Sequence, residues 1–156
     1  MRSITTCLWF DTEGEEAAKL YTSVFPDSRI TGTSHYTDAG PGPAGTVMTV
    51  TFELSGMPFL ALNGGPEFTF TEATSFQVIC DSQEEVDHYW EALSAGGEEG
   101  PCGWLKDRFG LSWQVVPAVL PELLSSPDAD VAQRVAKAMF GMRKLDIAAL
   151  EAAVAS

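Results

Sequence analysis

Residues 46–54 alternate with a period of two. Thr46, Met48, Val50, Phe52 and Leu54 fall on one side, and Val47, Thr49, Thr51 and Glu53 on the other. That pattern predicts a strand with one buried face. Strands are predicted near 28–37, 45–55 and 57–63, and a further apolar run opens the chain at residues 5–10. Between that run and residue 28 the spacing changes. Ala17, Leu20, Tyr21, Val24 and Phe25 recur at helical intervals, which predicts an amphipathic helix. Val86, Tyr89, Trp90 and Leu93 do the same further on. Asp11 and Asp81 are placed to cap the two helices, and Glu15-Glu16 and Glu84-Glu85 suit the positive end of each helix dipole. Pro26-Asp27 and Gly96-Gly97 are the expected stops.

The two helical stretches belong to a repeat. "TTCLWFDTEGEEAAKLYTSVF" (5–25) and "TSFQVICDSQEEVDHYWEALSAGG" (74–97) share an apolar run, an Asp, a polar spacer, Glu-Glu and a helix. The offset is about 70 residues, so the order β-α-β-β-β occurs twice. The modules are expected at about 3–64 and 73–117, together a domain over 1–120, with a helical tail over 121–156. The last hairpin pairs 101–106 with 111–116 across "DRFG", and the strand before it is expected to be short or missing, because "GGEEGP" is poor strand material. In the tail, Pro121 to Pro127 breaks the pattern. Asp128 or Asp130 could cap a helix carrying Val131, Val135, Ala138 and Met139, and Leu145, Ile147, Leu150 and Val154 suggest another. Helices this short need a surface to pack on, either the domain or a partner chain. Met139 and Met142 are expected in that core.

Composition narrows the function. The chain has 156 residues, 45% hydrophobic and 20% charged, enough for one domain or two small halves. No apolar run reaches the length of a membrane span. The start, Met1-Arg2-Ser3-Ile4, has no signal-peptide core, which points to a cytoplasmic protein. The net charge of −13 repels phosphate backbones and argues against nucleic-acid binding. Three cysteines, Cys7, Cys80 and Cys102, without CxxC spacing, form neither a disulfide framework nor a cysteine zinc site. His35 and His88 stand alone on a strand and a helix. Asp107 invites a role as a catalytic acid, but fits an Asx turn with Gly110 supplying positive φ. Trp104, Phe109 and Trp113 are expected to pack the hairpin, and Arg108 to be a solvated turn residue or an anion anchor.

Four blocks together resemble a known group: "FDTEGEEAAKLYTSVFPDSRI", "GPGPAGTVMTVTFELSGMPFLALNGGP", "SFQVICDSQEEVDHYWEALSAGG" and "CGWLKDRFGLSWQVVP". The chain resembles the PhnB-like branch of the glyoxalase/bleomycin-resistance/dioxygenase superfamily, also called vicinal oxygen chelate. The branch is often labelled demethylubiquinone methyltransferase-like. The resemblance covers about residues 3–120. It implies an α+β fold in which paired βαβββ modules form a curved mixed sheet around a cavity. It also implies a homodimer. Metal-dependent relatives hold their ion with His, Glu, His and Glu. Carried over by position, those sites fall on Thr6, on Phe59 or Ala61, on Ser75 and on Gln114. None is a histidine or a carboxylate. A divalent transition metal needs several strong N, O⁻ or S⁻ donors, so neither metal nor cofactor is expected.

Gln114 is then the most informative residue. Ser112, Gln114 and Val116 share a face, as do Ser75, Gln77 and Ile79, and Thr6, Leu8 and Phe10. If these faces turn inward, the hollow is lined by Thr6, Leu8, Phe59, Asn63, Ser75, Gln77 and Gln114. Such a lining suits a small, partly apolar ligand. In the alternative, Gln77 and Gln114 bond each other or the backbone and close the hollow. The expected function is metal-independent small-molecule binding. The competing readings are an enzyme with ligands relocated to His35, Asp38 or Glu53, and an interaction scaffold. A methyltransferase is the remaining one, but "GPGPAG" and "NGGP" do not lead from strand into helix as a nucleotide-binding turn would.

Overall fold

The computed structural model describes residues 4–155. The chain divides into two compact units, residues up to Phe70 and residues from Thr71 onward. The first contains β1 (Thr6–Phe10), α1 (Gly14–Val24), β2 (Arg29–His35), β3 (Val47–Leu54) and β4 (Met57–Asn63). Its four-stranded sheet has the order β1-β4-β3-β2. β1 runs parallel to β4, and the other pairs are antiparallel. Helix α1 covers one face. Leu8, Phe10, Val50, Phe52, Phe59 and Ala61 are buried there with Ala17, Ala18 and Tyr21. The Phe52 ring stacks on Phe59 at 5.3 Å and lies 6.3 Å from Tyr21.

The start of α1 differs from expectation. Asp11 does not cap it; Glu13 occupies the cap position and gives the helix no side-chain capping hydrogen bond. The Gly14 N–H instead donates to Asn63 Oδ1 at 2.8 Å, from the end of β4. A Cβ on Gly14 would lie 2.7 Å from that oxygen, so the close approach requires glycine.

The second unit contains β5 (Ser75–Cys80), α2 (Gln83–Ser94), β6 (Glu98–Glu99), β7 (Trp104–Lys106) and β8 (Ser112–Pro117), followed by α3 (Leu120–Leu124), α4 (Ala129–Phe140) and α5 (Ile147–Ala155). Its sheet repeats the topology of the first, in the order β5-β8-β7-β6 with β5 parallel to β8. Each sheet is open. The strand expected to be short has two residues, β6. Ser82, not Asp81, caps α2: its side chain accepts from the Glu85 N–H, and Glu85 Oε2 accepts from the Asp81 N–H. The Pro121–Pro127 stretch also forms more structure than expected. Proline is tolerated in the first turn of a helix, and Pro121 sits there in the five-residue α3.

The C-terminal helices are part of the second unit. Val116, Leu120, Val135, Leu145 and Leu150 form one buried cluster, joined by Met139 and Met142. Asp128 caps α4 by accepting from Asp130 N and Val131 N. Gln83, on α2, fastens the tail at both ends of its amide. Its Nε2 donates to the Leu145 carbonyl at 3.1 Å, and its Oε1 accepts from the Ile147 N–H at 2.8 Å. Among the described residues, no helix is long and apolar enough to cross a membrane.

Candidate functional site

The register of the second sheet arranges its open face into two cross-strand rows. Gln77, Gln114 and Trp104 form one; Ser75, Ser112, Lys106 and Glu98 form the other. The opposite face carries Val78, Cys80, Trp113, Val115 and Leu105, buried beneath α2 with Val86, Trp90 and Leu93. Three of these side chains bond across strands. Gln77 Nε2 donates to Gln114 Oε1 at 3.1 Å, and Gln114 Nε2 donates to Ser75 Oγ at 2.8 Å. The structure thus places Ser75, Gln77 and Gln114 on one face, with the two glutamines bonded to each other as in the alternative reading.

It does not place Thr6, Leu8, Phe59 or Asn63 on the open face of the first sheet. Leu8 and Phe59 are 5% and 4% exposed, under α1, and Thr6 pairs with Phe59 on that same face. The open face carries Cys7 beside Leu60 and Trp9 beside Leu62. The cause is a one-residue offset. Aligning Asp11 with Asp81 matches Cys7, not Thr6, to Gln77. In a strand, a shift of one residue exchanges the faces. Alternation alone gave no warning, because Leu8 and Phe10 on one side of β1 are matched by the equally bulky Trp9 on the other. Beside Leu60 and Leu62, Thr51 and Thr49 continue the open face, bonded to Thr31 at 2.9 Å and Ser34 at 2.5 Å. Partial burial pushes the Cys7 thiol pKa up.

Asn63 is a structural clamp. Besides Oδ1 on Gly14, its Nδ2 donates to the Val47 carbonyl at 3.1 Å, and its own carbonyl accepts from the Tyr36 hydroxyl at 2.5 Å. It also lines a cleft of about 490 Å³ with Asp11, Glu15, Tyr36 and the 41–43 loop.

A second cavity, also about 490 Å³, opens within the second unit between Glu72, Glu98, Glu99, Pro101, Trp104, Lys106 and Ser112. Lys106 pairs with Glu72. The hydrogen bond to Lys106 holds the Glu72 carboxyl below its ordinary pKa, and the same bond holds the Lys106 ammonium above its own. Glu99 Oε1 accepts from Trp90 Nε1 at 3.0 Å. Ser112 is 1% exposed, and its hydroxyl has no partner among the described residues. Trp104 and Lys106 were expected only as hairpin residues. The alternation Trp104-Leu105-Lys106 already puts both on the face of Gln114 and Ser112.

Asp107, behind that row, is a turn residue. Its Oδ1 accepts from the N–H groups of Phe109 at 2.9 Å and Leu111 at 3.1 Å, and its Oδ2 from Trp113 Nε1 at 2.9 Å. Gly110 has φ +85°. Among the described residues, no three His, Cys, Asp or Glu side chains are grouped to hold a metal ion. His35 and His88 are exposed, and Glu53 pairs with Arg29 at 3.0 Å. By register, the facing positions of the parallel strands in the second sheet are Gln77 and Gln114. Two neutral amides do not fit a divalent transition metal.

The family model for 3-demethylubiquinone-9 3-methyltransferase matches residues 2–116. The chain belongs to that family. Among solved structures it is similar to the PhnB protein from Bacillus cereus, with 38% identity over 75% of this chain and 100% of that one, at a TM-score of 0.67. Protein PA1353 from Pseudomonas aeruginosa shares the fold at 21% identity, covering 75% of this chain and 98% of that one, TM-score 0.62. The fosfomycin resistance protein FosX from Mesorhizobium loti shares it at 14% identity, covering 80% and 98%, TM-score 0.57. No curated protein matches. Family and fold place the chain in the glyoxalase/bleomycin-resistance, or vicinal oxygen chelate, superfamily. The family's description implies S-adenosylmethionine, and the residues do not fit the glycine-rich strand-to-helix turn that holds nucleotides. Residues 40–45 lie between β2 and β3, and residues 64–66 follow β4 without opening a helix.

Proposed function

We propose that this family member binds a small organic molecule on the open face of its second sheet, without a chelated metal ion. One observation carries the reading: Gln77, Gln114 and Ser75 form a neutral hydrogen-bonded chain at positions that would have to offer imidazole or carboxylate to chelate. A cavity large enough for a drug-sized ligand is lined by Trp104 and Ser112, the cross-strand neighbours of Gln114 and Ser75. The two amides offer a ligand further donors and acceptors once it breaks or joins the chain. Trp104 supplies an aromatic wall beside them. Leu8 and Phe59 are core residues of the first unit and take no part in it.

A thermal-shift screen with a broad panel of small organic molecules tests this. Compounds that raise the melting temperature of the wild-type chain, and lose that effect in Gln114→Ala, are the expected result. A silent panel, or hits indifferent to Gln114→Ala, would remove it. Elemental analysis of the purified protein bears on the competing enzyme reading, and one tightly held transition ion per chain would favour it. A homodimer belongs to the same reading, and light scattering that reports a monomer at working concentration would delete it.

A further inference from the structure

The Ser112 hydroxyl is the one buried side-chain polar atom that lacks a partner among the described residues. Leaving a hydroxyl bare inside a protein is unfavourable, and native structures rarely tolerate it without a reason. Here the reason has a place: Ser112 lines the cavity between Trp104, Pro101 and the β6–β7 hairpin. Three carboxylates, Glu72, Glu98 and Glu99, share that lining with one ammonium, Lys106. Glu72 already neutralises Lys106. Glu99 is turned to the Trp90 indole. Glu98 sits opposite Lys106 in the strand register, on the cavity's row. The balance of charge is negative, in a chain whose net charge is already −13.

We infer that this cavity is a site for a small organic cation with an aromatic or aliphatic body, such as an arylalkylamine. The ammonium lies toward Glu98 and the Trp104 ring, and Ser112 Oγ accepts one of its N–H bonds. The inference rests on the proposed binding function and names its ligand class. Three features favour a cation over an anion. A carboxylate ligand would have to displace Glu72 from Lys106 and then sit among three like charges. A tryptophan face attracts an ammonium and not a carboxylate. The hydroxyl serves either sign, so the surrounding charges decide.

The test uses three probes of nearly the same shape: phenethylamine, phenethyl alcohol and phenylacetate. Each is titrated calorimetrically into the full chain and into Ser112→Ala and Glu98→Gln. Phenethylamine is expected to bind best, with the alcohol about tenfold weaker, as a charge-assisted bond outweighs a neutral one. Phenylacetate is expected not to bind. Ser112→Ala should weaken phenethylamine about fivefold and should not lower the melting temperature of the ligand-free protein, since no bond is lost. Glu98→Gln should weaken the amine alone, with a smaller dependence on salt. Phenylacetate binding tightest, with sensitivity to Ser112→Ala, would overturn the cation assignment and leave the binding function standing. Probes indifferent to both variants, while other molecules still bind through Gln114, would overturn this cavity only. Silence of the probes and of the wider panel would sink both.

Discussion

Asp107 tests whether "DRFG" is chemistry or architecture. The residue is 2% exposed, and its carboxylate accepts from Phe109 N, Leu111 N and Trp113 Nε1. Asp107→Ala strands all three donors. The Leu111 and Trp113 donors are buried, and each bare buried donor costs about 1–3 kcal/mol. With the half-buried Phe109 N–H added, the loss should reach about 3–5 kcal/mol, a large part of the stability of a domain. Asp107→Asn separates charge from shape. Its carbonyl oxygen can keep the two backbone bonds, but its amide then points N–H groups at the indole N–H. That variant should lose about 1–3 kcal/mol, less than the alanine. Urea unfolding followed by tryptophan fluorescence reads both, since Trp113 reports on the bond in question. An Asp107→Ala protein within 1 kcal/mol of wild type would refute the reasoning. So would an Asp107→Asn protein of unchanged stability that fails to bind a ligand, since that would make the residue functional.

Leu145 is fully buried in the cluster that docks the tail, so Leu145→Ala should cost about 2–5 kcal/mol. Limited proteolysis should then cut between α4 and α5 first; an unchanged cleavage pattern would show that the tail is held by something else. Burial first, and then the nearby charges of Glu85 and Asp81, push the Cys80 thiol up to about 11. Mass spectrometry after treatment with a thiol reagent at mildly alkaline pH should find the exposed Cys7 labelled and Cys80 labelled only on unfolding, and native labelling of Cys80 would contradict its placement. Asp87 is held below the usual carboxylate range by its bond from Lys144 and then by that from Gln83. A depressed pKa in the folded state means the pair stabilises above the unfolded pKa, and that its contribution is lost as pH falls through the folded one. The difference in melting temperature between wild type and Lys144→Ala should therefore be small at neutral pH, given the exposure of the pair, and vanish in acid. A difference that grows on acidification would reverse the assignment.

The duplicated β-α-β-β-β order, the strands to within a few residues, the faces of α1 and α2 and the "DRFG" turn were all legible in the chain. Each depends on neighbours within one element, where periodicity and turn chemistry act over a few residues. The pairing of Gln77 with Gln114 was legible as one of two outcomes, and the register decided it. Which face of β1 turns away from α1 was not decided by alternation alone. A period of two fixes which residues share a side, but only the packed helix fixes which side is covered. Nor could local spacing show that α1 would borrow its cap from Asn63, 49 residues away, or that Gln83 would fasten Leu145 and Ile147 across more than 60 residues. The bare hydroxyl of Ser112 is of the same kind. A strand pattern says that a serine faces one way, but whether anything meets it there depends on every group the fold brings near, and that is settled only when the chain has closed around it.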